Sequence, residues 1–254
     1  MKIILDTAAQ TLTTAEAAAE TTLPLFSPAS YEAISRQWIR VGWSLRCYHN
    51  FSWFGRPVLQ LPEDLLRVQE AVYQVRPDVI IETGVFRGGS LLFYASLCQA
   101  LGKGRVIGVD REIPPADREA LQRHPLAHRI TLIEGDSVCA QVVERVAGSL
   151  QPGDAVMVVL DSCHTRQHVR RELELYSPFV TPGSYIIAAD GIIEDLADVP
   201  GGDPAWASDN PLVAANEFLM AHPEFERVSP PRPFRESDLC DVTYWPNGWL
   251  KRTK

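Results

Sequence analysis

Residues 79–90 read Val79-Ile80-Ile81-Glu82-Thr83-Gly84-Val85-Phe86-Arg87-Gly88-Gly89-Ser90. A β-branched run ends at an acidic residue, passes through a glycine-rich turn and continues into the apolar segment 90–101. This pattern predicts a buried strand that turns directly into a helix. Glycine lets the backbone approach a ligand closely, and the N–H groups at a helix start point toward whatever lies above the strand. The stretch therefore predicts a cradle for a nucleotide-like molecule.

Short apolar runs alternate with amphipathic segments over most of the remaining chain. The predicted strands are 79–81, 105–109, 129–133, 155–160 and 184–188, and the predicted helices are 90–101, 115–124, 138–147 and 165–176. Such alternation predicts a parallel sheet with helices on both faces. After a helix at 211–221, strands at 225–228 and 241–245 are predicted to end the sheet as an antiparallel pair. The predicted fold class is α/β, with a Rossmann-like sheet of parallel strands and an antiparallel last strand.

The first sixty residues differ in composition from the rest. Residues 11–22 are rich in Ala, Thr and Glu and predict a solvated helix or a loose tail, whereas residues 31–54 contain seven aromatic side chains. These rings could pack an extension onto the main sheet, or they could form a lid that excludes water from a cleft. We predict an N-terminal extension or cap over residues 1–60 and a core domain over residues 61–254.

The overall composition excludes several functions. The formal net charge of −8 at pH 7 leaves no broad basic surface, so we expect neither nucleic acid nor an anionic membrane as a partner. The sequence contains no run of about 18 apolar residues, so no membrane span is predicted. No export signal is recognised either. The five cysteines are scattered and form no CxxC pair, which indicates reduced thiols and a cytoplasmic location.

Polar residues follow each of the five predicted parallel strands. In such a sheet, ligands lie beyond the carboxyl ends of the strands. One acidic or hydroxyl residue there is usually a helix N-cap, but five strand ends in register predict a site. Its candidate residues are Glu82, Asp110, Asp136, Ser137, Asp161, His164 and Asp190.

The glycine turn distinguishes between two cofactors. A dinucleotide-binding turn requires G-x-G-x-x-G, and Phe86 occupies the place of the second glycine. S-adenosylmethionine carries no phosphate, so it tolerates a looser turn. Asp110, at the end of the second predicted strand, could accept two hydrogen bonds from the ribose diol of either cofactor.

The turn resembles the first motif of the catechol-type, metal-dependent O-methyltransferases. The resemblance implies that the methionine portion of S-adenosylmethionine is held by Glu82, Gly84, Arg87, Gly88 and Ser90. It also implies that Asp110 binds the ribose, that Asp136 and Ser137 lie beside the adenine, and that Asp161 contributes to the same site.

Asp161 and His164 match the Asp-x-x-(Lys or His) unit of that superfamily. The resemblance implies that Asp161 binds a divalent cation, Mg²⁺, together with Asp190, and that His164 removes the proton of an acceptor hydroxyl. A hard cation lowers the pKa of a hydroxyl before a nearby base takes its proton. Ala189 stands where related enzymes have a further acidic ligand, so Glu194 or Asp195 from the next loop could complete the site.

The chain over residues 45–252 resembles the cephalosporin hydroxylase family. The resemblance is carried by residues 53–57, 76–90, 160–164, 182–185 and 246–250, and by His168-Val169 and Glu172-Leu173. Despite its name, that family has the class I methyltransferase fold and is similar to metal-dependent sugar and macrolide-sugar O-methyltransferases. The resemblance implies methyl transfer to a hydroxylated small molecule, a sugar or glycosylated natural product, and a homo-oligomer is the expected state.

Three alternatives remain open at the level of the sequence. His164 could act alone in a metal-free reaction. Asp161, His164 and His168 could form the facial triad of a non-haem iron hydroxylase, although this leaves the glycine turn and Asp110 without a role. The chain could also bind the cofactor without catalysis, as a partner of a biosynthetic enzyme.

Overall fold

The N-terminal part of the chain forms a small sheet, a long helix and a short hairpin. The computed structural model describes residues 2–16, 19–234 and 236–254. The first elements are strands β1 (Lys2–Asp6), β2 (Thr11–Glu16) and β3 (Ala19–Pro24), helix α1 (Pro28–Ser44), and the hairpin strands β4 (Ser52–Trp53) and β5 (Arg56–Pro57). Strands β1, β2 and β3 pair antiparallel in that order.

The prediction of a helix or loose tail over residues 11–22 is wrong. The β-branched threonines of this segment favour extended backbone, and Thr13 and Thr22 pair across strands β2 and β3 with 3.0 Å between their hydroxyl oxygens. Residues 17 and 18, which belong to the same prediction, lie outside the described residues.

The rest of the chain alternates helices and strands as predicted. The elements are α2 (Pro62–Val75), β6 (Val79–Thr83), α3 (Gly89–Ala100), β7 (Arg105–Asp110), α4 (Pro115–Gln122), β8 (Ile130–Glu134), α5 (Ala140–Gly148), β9 (Val156–Leu160), α6 (Arg166–Tyr176), β10 (Tyr185–Ala188), α7 (Pro211–Ala221), β11 (Phe225–Arg227) and β12 (Trp249–Arg252). One apolar cluster on each face of the sheet buries the strand residues against helices.

The main sheet has the order β11-β12-β10-β9-β6-β7-β8. Strands β8, β7, β6, β9 and β10 are parallel, and β12 runs antiparallel between β10 and β11. The predicted fold class is therefore confirmed. The strand order reverses between β6 and β9, and ligands of open α/β sheets bind at such a switch point.

The last strand lies farther along the chain than predicted. Residues 241–245 form no strand, and β12 begins at Trp249. The reason is the buried carboxylate of Asp64, which accepts hydrogen bonds from the Tyr244 N–H and the Thr243 hydroxyl. These contacts replace strand pairing, because a buried backbone donor needs one partner and here finds it in a side chain.

Across the described residues, no helix is both long and apolar enough to cross a bilayer.

Candidate active site

A cavity of about 610 Å³ opens at the carboxyl ends of β6 and β9, at the switch point. Its volume lies in the range typical of small-molecule sites. The floor is formed by residues from the strand ends, and the roof by residues from the N-terminal part and from the loop after β10. Among the predicted site residues, the cavity is lined by Gly84, Ser90, Asp110, Asp161, His164 and Asp190.

The glycine turn is packed directly against the neighbouring strand end. Gly84 has φ +91°, and a Cβ atom there would lie 2.0 Å from the carbonyl oxygen of Asp161. At Gly89, a Cβ atom would lie 2.0 Å from the carbonyl oxygen of Pro57, which belongs to hairpin strand β5. These glycines therefore bring the turn into contact with the Asp161 loop on one side and the N-terminal extension on the other.

Asp110 holds the turn in shape. One of its carboxylate oxygens accepts hydrogen bonds from the backbone N–H groups of Val85 and Phe86, at 2.8 and 2.9 Å. Phe86 adopts a left-handed backbone with φ +48°, a conformation that is costly for a residue with a side chain. The other Asp110 oxygen accepts from the Glu112 N–H at 3.2 Å, and Asp110 lines the cavity.

We expect Asp110→Ala to weaken binding of S-adenosylhomocysteine by at least tenfold, because both the turn and the predicted ribose acceptor are lost. A hydrogen bond to a charged group contributes about 1.5–3 kcal/mol, and each 1.4 kcal/mol is tenfold in affinity. Isothermal titration calorimetry measures this. Asp110→Asn, which keeps one acceptor oxygen for the turn, should lose less, and Glu112→Ala serves as the adjacent control. Unchanged affinity in Asp110→Ala would contradict the ribose assignment.

Glu82 lies beneath the cavity and does not line it. Its side chain is fully buried and accepts a hydrogen bond from the Ser90 hydroxyl at 2.8 Å. Burial raises the pKa of the Glu82 carboxyl well above its usual range, and the nearby Asp161 charge adds to the rise. Glu82 therefore reaches the cavity through Ser90, which lines it.

Asp161, His164 and Asp190 converge in the same cavity, next to the glycine turn. Each offers one ligand atom, and these atoms lie within 4.8 Å of one another. The Nε2 atom of His164 lies 3.3 Å from a carboxylate oxygen of Asp190. Burial raises the pKa of both carboxyls above their ordinary range, and at Asp161 the charge of Asp190 adds to the rise while His164 opposes it.

Gln60 belongs to this site although the sequence analysis did not identify it. Its side-chain amide donates a hydrogen bond to a carboxylate oxygen of Asp161 at 3.0 Å, and the side chain is 4% exposed. Gln60 lies just before helix α2 and far from Asp161 in sequence. No local motif marks it, so only the tertiary fold reveals the contact.

Other residues considered in the sequence analysis lie outside the cavity lining. Ala189 is buried and offers no ligand, Asp195 forms an ion pair with Arg36 at 2.6 Å, and Glu194 does not line the cavity. His168 is absent from the Asp161 cluster found among the described residues, so the iron triad is not assembled. The cofactor assignments of four further residues outside the lining stay predictions: Arg87, Gly88, Asp136 and Ser137.

Aromatic side chains from two separate segments form the roof. Trp43 of α1 and Trp206 of the loop after β10 meet edge to face with ring centroids 5.4 Å apart, and both line the cavity. Tyr48 and Tyr244 form a second pair at 5.9 Å and also line it. In contrast, Trp53 packs against the core, with its ring 5.0 Å from that of Phe93. Some of the predicted aromatic cap therefore packs the extension, and some encloses the cavity.

Helix α1 is anchored to the loop after β10. The Arg40 guanidinium donates to the Asp195 carbonyl and pairs with the Asp198 carboxylate at 2.7 Å. The Ser44 hydroxyl donates to the Pro200 carbonyl at 2.9 Å. The segment around residues 201–206 is thus held by the extension, as an ordered part of the roof.

The sheet order and the switch-point cavity define an α/β protein with the class I methyltransferase fold. The chain belongs to the rhamnosyl O-methyltransferase/CmcI family, whose model matches residues 46–253. This match confirms the family resemblance carried by the sequence motifs.

Three comparisons illustrate the likeness. A rhamnosyl O-methyltransferase from Mycobacterium leprae (strain TN) is 30% identical over 151 residues, which cover 56% of this chain and 63% of that protein. The apo structure of CmcI aligns with TM-score 0.56 and 22% identity, covering 81% of this chain and 77% of that chain. A CmcI structure with Mg and SAM aligns with TM-score 0.53 and 21% identity, covering 81% and 78%. The structural matches show the fold, and the alignment with the M. leprae relative spans about three-fifths of that protein's length.

Proposed function

We propose that this protein is an S-adenosylmethionine-dependent O-methyltransferase that acts on a hydroxyl of a small molecule. The observation that carries the proposal is the shared cavity, which is lined both by the glycine turn and Asp110 and by the cluster of Asp161, His164 and Asp190. A cofactor cradle and a proton-accepting group therefore meet in one space. The family and its rhamnosyl O-methyltransferase members support the same reaction.

The residues present fit a divalent cation. The carboxylates of Asp161 and Asp190 lie close to each other. Burial raises the pKa of both. A cation would relieve this repulsion, and Mg²⁺ prefers oxygen ligands and retains several waters, so two carboxylates suffice. Asp161 and Asp190 would hold the ion, and Gln60 would orient Asp161, as outer hydrogen-bond partners do at metal sites. The bound ion would supply polarisation of the acceptor hydroxyl.

In this proposal, His164 takes the proton of the acceptor hydroxyl. Asp190 orients the imidazole through the 3.3 Å contact at Nε2. Asp110 and the turn would hold S-adenosylmethionine, which would supply the methyl group and leave as S-adenosylhomocysteine. The roof excludes water, so the protein contributes mainly by positioning the two reactants.

We expect EDTA to suppress methyl transfer and added Mg²⁺ to restore it. Asp161→Asn should weaken Mg²⁺ binding at least tenfold, because one of two charged ligands is lost. Asp154→Asn, at the opposite end of strand β9, is the matched control. The assay is transfer of labelled methyl from S-adenosylmethionine to a panel of hydroxylated sugars, with Mg²⁺ affinity measured by calorimetry. Full activity after thorough chelation would remove the metal from the mechanism.

The acceptor is proposed to be a sugar or a glycosylated natural product. The aromatic rings of Trp43, Tyr48 and Trp206 line the roof, and Asp203 and Asp209 line the same cavity. Rings that contact apolar faces and carboxylates that accept from hydroxyl groups suit a sugar ring. The rhamnosyl O-methyltransferase relatives support this acceptor class.

We also propose that the chain forms a homo-oligomer through the outer face of α1. Tyr31, Ile34, Trp38, Val41 and Leu45 are 37–76% exposed, and their spacing of three and four residues matches a helix–helix seam. The flanking positions 35, 37, 42 and 44 carry no charge, so this face can meet a second copy despite the net charge of −8.

Light scattering during size-exclusion chromatography tests this association. We expect the wild-type chain to run as a dimer or larger and Trp38→Glu to shift it toward the monomer, because a charge would be buried in an apolar contact. Tyr73→Glu changes a 63% exposed ring on α2 and should leave the oligomer intact. A wild-type monomer would contradict the proposal.

We propose that residues 1–60 act as a cap on a catalytic domain of residues 61–254, which the contribution of Trp43, Tyr48 and Gln60 to the cavity supports.

We propose a cytoplasmic location, for which the five free cysteines are the support.

A further inference from the structure

One face of helix α6 carries polar side chains that turn toward the strand ends instead of toward solvent. His168, Glu172 and Tyr176 are spaced four residues apart, and all three make hydrogen-bond contacts with the ends of β8 and β9. None of these three side chains has a role in the proposed methyl transfer.

Glu172 is fully buried, and Oε1 accepts a hydrogen bond from the Ser162 hydroxyl at 2.7 Å. Within the described residues, Oε2 is buried and has no hydrogen-bond partner. A buried carboxylate is costly unless it is paired and hydrogen-bonded. Its other neighbour is the imidazole of His168, whose Nε2 lies 3.5 Å from Oε1.

His168 joins two strand ends. Its Nε2 atom lies 3.1 Å from the hydroxyl oxygen of Ser137, which follows β8, and 3.2 Å from that of Ser162, which follows β9. The hydrogen bond to Glu172 raises the pKa of the His168 imidazole. The charge of Asp136 also raises the pKa of His168, and the charge of Glu172 adds to the raised pKa of Asp161.

We propose that Glu172 and His168 form a positioning pair that fixes the Ser162 hydroxyl, and thereby the turn that carries Asp161 and His164. Ser162 directly follows Asp161, so its tether to the buried carboxylate limits how far the Asp161 side chain can move. The same pair contacts Ser137, so it connects the segment that follows β8 with the segment that follows β9. The inference rests on the proposed function only in taking Asp161 and His164 as the reaction centre.

Glu172→Gln tests the pair, because it removes the charge and keeps the shape. We expect an NMR titration to show a lower pKa for His168 than in the wild-type chain. We also expect Mg²⁺ affinity in the presence of S-adenosylhomocysteine to fall about tenfold, the size typical of lost outer hydrogen-bond partners at metal sites, while affinity for S-adenosylhomocysteine itself changes less than threefold. Glu174→Gln is the matched control, because Glu174 lies on the same helix and contacts His222 on the far side.

A second variant keeps the test decisive if Glu172→Gln does not fold. Ser162→Ala removes the tether and leaves the buried pair, so Mg²⁺ affinity should fall while the His168 pKa stays raised. The proposal is overturned if the His168 pKa is unchanged in Glu172→Gln, or if Mg²⁺ affinity, S-adenosylhomocysteine affinity and melting temperature fall together as in a merely structural defect. If the wild-type chain bound no Mg²⁺, the metal part of the proposed function would fail, whereas the His168 titration would still decide the pair.

Discussion

His164→Gln should lower the rate of methyl transfer by about 10²–10⁴-fold, the range that a positioned general base contributes. The glutamine amide can still hydrogen-bond to Asp190, but it cannot accept a proton from the acceptor hydroxyl. The affinities for S-adenosylhomocysteine and Mg²⁺ should stay within threefold of the wild-type values, because neither the turn nor the two carboxylates is altered. Labelled methyl transfer and calorimetry measure these quantities.

The control for this substitution is His128→Gln. Among the described residues, the only hydrogen-bond partner of the His128 side chain is the Pro125 carbonyl. Two results would be informative against the assignment. A rate within threefold of wild type would show that His164 is not the base, and a loss of Mg²⁺ affinity equal to the loss of rate would make it a metal ligand instead.

Gly84→Ala should destabilise the protein by about 2–4 kcal/mol and abolish detectable cofactor binding. Two effects combine: φ +91° disfavours any side chain, and the added Cβ would lie 2.0 Å from the Asp161 carbonyl oxygen. Relief of the overlap requires the turn to move away from the Asp161 loop. Chemical denaturation gives the free energy of unfolding, and titration with S-adenosylhomocysteine gives the affinity.

Gly102→Ala separates the two effects. Gly102 also has a positive φ, +72°, but a Cβ atom there meets nothing within 4 Å. Its cost should be about 1–2 kcal/mol from the backbone alone, with cofactor binding retained. Equal destabilisation by both substitutions would show that the overlap between a Cβ atom at position 84 and the Asp161 carbonyl adds nothing to the backbone cost.

The repetitive part of the fold was predictable because its pattern is local. Apolar runs of five residues, such as Val156–Leu160, are fully buried between helices, and amphipathic segments such as α5 cover them. The errors arose where distant residues decide the structure. Asp64 holds the backbone of residues 243–244, and thereby displaces the last strand to Trp249–Arg252.

The part of the site that lies at strand ends was predictable, because the strands themselves have a local pattern. Asp110 ends strand β7, and Asp161, His164 and Asp190 follow strands, so the parallel sheet brings all four together at one edge. Gln60 and Trp206 come from segments without periodic pattern, and their contribution depends on how the extension and the loop after β10 fold over the sheet. The oligomeric state and the acceptor depend on these same segments and remain proposals.

The anchoring of α1 to the loop after β10 limits how the roof of the cavity can be re-engineered. Arg40 contacts both the carbonyl of Asp195 and the carboxylate of Asp198, so replacing either segment alone would leave a guanidinium or a carboxylate without its counterpart. The two segments must therefore be exchanged together in any chimera that seeks a new acceptor. The strand ends beneath them could be kept unchanged in such a chimera, because they contribute a separate part of the cavity lining.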